Sequence, residues 1–311
     1  MKVRRIAYQA AALAAVLAVG WFFVANAAAN LEARRIASGF AFLQREAGFE
    51  IGEKFFLSYG AADSYLRALA VGVLNTLGVA LIGIVLATGL GAAVGLFRLS
   101  PNFLLRSLSA SYVEFFRNVP LLVQLFFWYA LITEGLPHPR EALSPLPGVF
   151  LSNRGILLPS LEGAPRLEGF NFVGGTAITP EFAALLFGLA VYTAAFIAEI
   201  VRAGVLAIER GQWEAAQAVG LMRGQALRHV IVPQALRVVV PPLASQYLNL
   251  TKNSSLAVAI GYPDLVSIAN TTMNQTGQAI EGIAIIMGVY LTISLSISAF
   301  MNWYNARISL R

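Results

Sequence analysis

Residues 68–97 contain no charged side chain, and no other feature limits the possible folds of this chain so tightly. A hydrocarbon core of roughly 30 Å is crossed by about 20 helical residues, so a run of this length is a membrane span. Lipid offers no water to satisfy backbone amides and carbonyls, which leaves helices and closed barrels as the only spanning structures. Barrel strands need only about 9–11 residues, so runs of this length select helices. Six such runs are legible: residues 6–29, 68–97, 119–133, 182–208, 238–262 and 282–304. With 58% hydrophobic and only 12% charged residues, against about 25% charged in soluble domains, the composition agrees. The expected fold is an all-α integral membrane protein of about six transmembrane helices.

The basic residues orient this bundle. With the N-terminus on the cytoplasmic side, 13 Lys and Arg fall inside (counting Arg202, near the inner end of the fourth span), 8 fall outside and Lys252 lies midway along a span, the excess that the positive-inside rule describes. Both termini are then cytoplasmic. The net charge of +6 follows this topology and forms no single basic face, so nucleic acid is not an expected partner. The first span ends in Ala25-Asn26-Ala27, which has the small-x-small form of a signal-peptidase site. Its apolar run exceeds the roughly 7–15 residues of a signal h-region, so it is read as a retained anchor. Either way, residues 30–66 lie outside. A second outer segment, residues 135–180, holds seven of the 13 prolines and has no clear periodicity. Its length suggests an irregular surface loop or a docking surface for an outer partner.

Between the fourth and fifth spans the sequence GQWEAAQAVGLMRGQALRHVIVP, residues 211–233, interrupts the apolar pattern. Ala215, Val219, Met222, Ala226 and Val230 follow helical steps and form one stripe, with Glu214, Gln217, Arg223 and Arg228 off it. Gly220 and Gly224 suggest a break into two short helices, and Pro233 marks the entry to the next span. Such a stripe must be buried against something. Periodicity alone leaves open a helix lying on the inner membrane surface or a helix seated in a groove of another protein. The small residues Ala215, Ala216 and Gly220 favour the groove.

Three ionisable residues fall inside candidate spans, where each is costly. Glu199 and Arg202 stand three apart on one helix face, which gives a local ion pair or a gating pair near the cytoplasmic end. Lys252, followed by Asn253, Ser254 and Ser255, breaks the fifth apolar run near mid-depth. Broken helices at that depth carry solute sites in other transporter folds, and a lysine there can meet a carboxylate. Interhelical hydrogen bonding by the Asn and Ser side chains is the alternative.

Several chemistries have no support. There is no cysteine, so disulfides, thiolate metal sites and thiol nucleophiles are out. None of the three lysines follows a glycine, so no GxxxxGK[ST] phosphate loop exists and the chain has no ATPase site of that kind. His138 and His229 are isolated and carry no HExxH spacing, so no metal site is expected.

The sequence EAA at 214–216, then Gly220, then VIVP at 230–233 resembles the EAA loop of ABC importer permeases, with valines replacing the usual isoleucine and leucine before the proline. FRNVPLLVQ at 116–124, YTAAFIAEIVRAG at 192–204 and the run from Pro233 to Gly261 resemble the polar amino-acid branch. NSSLAVAIGYPDL at 253–265 and the long outer loop are similar to the general L-amino-acid permeases of Gram-negative bacteria. That resemblance implies a type I importer core with an extra N-terminal helix. Residues 1–66 would be the anchor and periplasmic segment, and 67–311 the core with periplasmic loop 135–180 and cytoplasmic coupling loop 207–233.

The same resemblance implies a bacterial inner-membrane location and a dimer of ATP-binding subunits, which would hold the ATP and Mg; this chain itself would bind no cofactor. It also implies a second, homologous permease and a periplasmic amino-acid-binding protein. Glu214, Ala215, Ala216 and Gly220 would form the coupling site, with Trp213 beside them and Pro233 closing the loop. An ion-gradient-driven secondary transporter would show mid-membrane polar groups without needing this loop. A membrane enzyme or scaffold is the other rival.

Overall fold

The computed structural model describes residues 2–33, 38–54, 56–160, 163–169 and 171–309. Arg34, Arg35 and Arg311 of the charge tally lie outside the described residues, as do three positions of the 135–180 loop.

Helix α1 (Lys2–Ala33) carries the first apolar run, and Leu13, Val16, Leu17, Trp21 and Phe22 are all exposed on it, as lipid-facing side chains are. The centre of the molecule is the pair α2 (Tyr65–Phe97) and α5 (Pro180–Leu206). Ser64 caps α2 by accepting the Arg67 amide at 3.4 Å. Thr179 caps α5 by accepting that of Phe182 at 3.2 Å, with Pro180 in the first turn, where its missing amide hydrogen costs nothing. The two helices run alongside each other through small residues. A Cβ placed on Gly91 would lie 2.6 Å from the Ile197 Cβ and 2.9 Å from the Ala194 carbonyl oxygen, and one on Gly95 would lie 2.7 Å from that of Ala198. Gly91 and Gly95 thus form a GxxxG face against Ala194 and Ala198. This is how helices pack in lipid, where van der Waals contact replaces the hydrophobic drive.

The third apolar run is one arm of a bent pair. Helices α3 (Phe103–Asn118) and α4 (Leu121–Thr133) meet at 106°. Pro120 has no amide hydrogen, and it holds Val119 in an extended conformation (φ −91°, ψ 126°). The Gln124 side-chain amide then donates to the carbonyls of Phe116 and Val119, at 3.0 Å each, and satisfies groups that the break exposes.

The segment between α4 and α5 is ordered rather than irregular. Strands β1 (Leu143–Leu146), β2 (Val149–Ser152), β3 (Gly155–Leu158) and β6 (Thr176–Ile178) form an antiparallel sheet in the order β1-β2-β3-β6, while β4 (Arg166–Glu168) pairs with β5 (Asn171–Val173). Strands of three or four residues are too short to show the alternation that betrays a strand in sequence.

On the opposite end lie α6 (Arg210–Ala218) and α7 (Arg223–Ala226), followed by one π turn (Leu227–Ile231) and α8 (Val232–Asn253). The fifth expected span, 238–262, is therefore built differently. It is the latter part of α8, carrying Pro241 and Pro242, joined at Ser254 to a 3-10 stretch (Ser254–Ile260) that ends at Gly261 in the left-handed region (φ +80°). Helices α9 (Leu265–Thr276) and α10 (Ala279–Ser309) complete the chain. Among the described residues, four helices are long and apolar enough to cross a bilayer, or five counting the bent pair, and α8 is more polar than these.

Two buried clusters hold the molecule together. One joins α2, α4, α5 and α8 through residues such as Val79, Leu125, Leu185, Leu189, Ile197 and Leu250. The other packs the segment 38–64 onto the sheet-bearing end of α2 and onto α9 through Phe42, Ile51, Tyr59, Val71, Leu265 and Ile268.

Candidate functional site

Three loci carry the residues singled out from sequence. The first is the α6–α7 loop. Helix α6 ends in a turn closed by the Val219 amide onto the Ala215 carbonyl (3.2 Å), the Gly220 amide onto that of Gln217 (2.9 Å) and the Leu221 amide onto that of Ala216 (3.1 Å). Gly220 adopts φ +84°, which an L side chain rarely takes, so the turn between two short helices is here. Gly224 lies inside α7 instead. The expected continuous stripe is split by this turn. Ala226 is buried and Val230 half-buried, but Val219 and Met222 are exposed, at 75% and 71%. The buried face runs through Ala216, Ala226 and Ile231, while Glu214, Ala215, Val219, Gly220 and Met222 are exposed. Trp213 is half-buried and lines a cleft of about 650 Å³ with Leu99, Leu206, Arg223 and Leu227. Gln234, beside Pro233, donates from its side chain to that of Gln212 at 2.9 Å and ties α6 to the start of α8.

The second locus is the break at Asn253. Asn253 lines a polar cavity of about 260 Å³ with Tyr192, Thr193 and Phe196 of α5 and Gln246 and Asn249 of α8. Lys252 is exposed and is not part of that wall. The Ser254 and Ser255 hydroxyls are committed to the carbonyls of Thr251 (2.7 Å) and Lys252 (2.8 Å), where they close the end of α8. Gln246, Asn249 and Asn253 recur at steps of three and four, a polar stripe on an otherwise apolar helix. That spacing was the available signal for the two residues that sequence reasoning missed. The Phe196 ring joins this cavity to a second one, of about 430 Å³, lined also by Glu114, Arg117 and Asn118. The Arg117 guanidinium sits 5.2 Å from the centre of that ring.

The third locus is a triad rather than a pair. Arg202 donates to Glu199 from Nε (3.2 Å) and from a terminal nitrogen (2.5 Å), and Arg98 at the end of α2 donates to the other Glu199 carboxylate oxygen. Sequence spacing gave the local partner; a residue 101 positions away could not be read from it. We expect Glu199→Ala, which leaves two facing guanidinium groups, to cost about 2 kcal/mol, between surface and buried ion pairs. Thermal unfolding in detergent measures it, and a midpoint equal to that of the unaltered chain would mean that the triad adds nothing to stability.

Among the described residues, no group of three or more His, Cys, Asp or Glu side chains is placed to hold a metal ion.

Comparison with known proteins agrees with this geometry. Residues 83–310 match the family model of the binding-protein-dependent transport system inner membrane component. A putative amino-acid ABC transporter permease protein of Escherichia coli is 47% identical, covering 99% of this chain and 95% of the relative. A general L-amino acid transport system permease protein of Rhizobium johnstonii is 40% identical, over 99% and 93%. The crystal structure of an amino acid ABC transporter with histidines matches at a TM-score of 0.60 and 26% identity, covering 78% of this chain and 95% of the other. The family match spans both the α2–α5 centre and the α6–α7 loop, and the chain therefore belongs to the binding-protein-dependent transport system inner membrane components.

Proposed function

We propose that this chain is the permease subunit of an ATP-driven importer that carries L-amino acids from the outer face of a bacterial inner membrane to the cytoplasm. The names of both full-length relatives support the substrate class. In this reading the sheet-bearing end faces outward, both termini are cytoplasmic, and the α6–α7 loop meets a separate ATP-binding subunit. Residues 67–311 are the transport core, and 1–66 the anchor and outer segment. ATP and Mg belong to a dimer of ATP-binding subunits. A second permease, homologous to this one, completes the pathway, and a periplasmic amino-acid-binding protein delivers the solute.

The observation that carries the reading is the exposed set Glu214, Ala215, Val219, Gly220 and Met222 on two short helices held by a glycine turn. Exposed apolar and small side chains grouped on one surface mark a protein interface, and the EAA spacing falls on that surface. Coupling requires that the ATP-binding partner touch this loop differently in its two nucleotide states.

The pathway is placed at the cavity under Asn253, with Lys252 projecting from the same helix end toward the second permease and Ser254 and Ser255 shaping the break. Glu199 and Arg202, with Arg98, lie nearer the cytoplasmic end as a gate. Uptake of a labelled amino acid into vesicles tests this. Asn253→Leu is expected to lower the rate at least about tenfold, the effect of some 1.4 kcal/mol on a transition state. Lys252→Ala is expected to reduce uptake while leaving association with the ATP-binding subunit intact. Unchanged uptake by either variant removes that residue from the pathway.

A further inference from the structure

Two membrane spans, α2 and α5, end beside the α6–α7 loop, and the cleft of about 650 Å³ that Trp213 lines is bounded by those ends and by the loop. Its apolar wall is made by Leu99, two residues past the end of α2, by Leu206, the last residue of α5, and by Leu227. Leu206 and Leu227 are 59% and 43% exposed. The end of a span is where hydrocarbon gives way to headgroups, and tryptophan is enriched at that depth. Exposed apolar side chains grouped there mark a surface that something apolar covers.

The cleft also carries charge, and of one sign only. Arg210, the first residue of α6, and Arg223, the first of α7, both line it, and no acidic side chain does. Both arginines are exposed, and neither is in an ion pair among the described residues. Glu209 and Glu214, the acids nearest Arg210 in sequence, lie outside the wall. Arg98 and Arg202, near the ends of the same two spans, differ in this respect, since both are tied to Glu199. An arginine can lay its stem along an apolar wall and keep its head among polar groups. Its planar fork binds a phosphate through two parallel N–H···O bonds. An apolar wall beneath two cations without counter-ions therefore fits an amphiphilic anion. A zwitterionic headgroup fits less well, because it brings a cation of its own against the two guanidinium groups.

We propose that this cleft binds one anionic phospholipid, its phosphate bridging Arg210 and Arg223 and an acyl chain lying along Leu99, Leu206 and Leu227. Basic pockets between membrane helices hold anionic headgroups in this way, at about fivefold in affinity per arginine. The bound lipid joins the first residue of α6 to the first of α7, on either side of the Gly220 turn, and fastens both to the ends of α2 and α5. Trp213 and Ala215 stand two apart and so do not share a face of α6, which leaves the exposed Ala215 surface open to a protein.

The test uses the full-length chain in phosphatidylcholine nanodiscs, with phosphatidylglycerol dibrominated in its acyl chains as the probe, since bromine quenches tryptophan fluorescence on contact. Dibrominated phosphatidylcholine is the control. The expected result is a component of quenching that half-saturates at a mole fraction roughly 25-fold lower for the phosphatidylglycerol, the product of two arginines. Trp213→Phe should remove this component, while Trp21, Trp128 and Trp303 respond alike to both lipids. Arg210→Ala and Arg223→Ala should each reduce the preference about fivefold, and the double variant should abolish it. Arg210→Lys and Arg223→Lys should keep most of it, which separates lost charge from a disturbed fold. Arg237→Ala, an exposed arginine of α8 outside the cleft, should keep all of it. No preference in the unaltered chain, a preference that survives the double variant, or an equal loss in Arg237→Ala would overturn the proposal. So would release of the lipid by millimolar glycerol 3-phosphate, which would make this an anion site that needs no acyl chain.

Discussion

Leucine in place of Gly91 is expected to prevent recovery of a folded, monodisperse chain from detergent extracts. At this position even a methyl group would lie 2.6 Å from the Ile197 Cβ and 2.9 Å from the Ala194 carbonyl oxygen, so α2 and α5 must separate to admit it. Overpacking in a soluble core costs about 1–3 kcal/mol, and here the obstruction includes backbone, so a cost upward of about 3 kcal/mol is expected. No hydrophobic force holds the helices together in lipid, and losing their close approach removes most of what joins them. Gly89 lies two residues away on the same helix with open space where a side chain would go, so Gly89→Leu is expected to behave as the unaltered chain. Size-exclusion profiles after stepwise heating compare the two. Equal midpoints for both leucine variants would contradict the packing described.

The second large effect is expected at the α6–α7 loop. Ala215→Trp adds bulk on an exposed surface, so insertion and folding should be preserved while ATP-driven uptake in vesicles falls at least about tenfold. Glu214→Arg should act in the same direction by reversing charge. Gly220→Trp is a less clean test, because at φ +84° any side chain strains the turn by about 1–2 kcal/mol, and Gly220→Ala must be measured beside it. Full uptake by Ala215→Trp would mean that the exposed face of α6 makes no functional contact.

How much of this was readable in advance depends on the range of the interaction. Helices α2, α5 and α10 announce themselves because apolarity over a long run is a local property of sequence, and the 207–233 loop does so because its spacing is local too. The stripe through Ala226 failed because a period holds only within one helix, and the turn at Gly220 rotates α7 relative to α6. The bend at Pro120 was carried by the proline itself, but α3 is amphipathic, with Arg106, Glu114 and Arg117 on it, and so offered no apolar run. The Arg98–Glu199 contact and the cleft shared by Leu99 and Trp213 join residues more than 100 positions apart, and no periodicity reports such a meeting. The orientation of the α6–α7 loop is a matter of the same kind: Ala216 and Ala215 are identical in sequence terms, yet one is buried and one exposed.

If this chain draws on ATP through the α6–α7 surface, co-purification from membranes under gentle detergent extraction shows it. The unaltered chain is expected to retain, in stable stoichiometry, a protein bearing a GxxxxGK[ST] phosphate loop, and the Ala215→Trp chain to lose it while remaining folded. Recovery of no such protein with the unaltered chain, or equal recovery with both, would mean that the α6–α7 surface does not hold an ATP-binding partner.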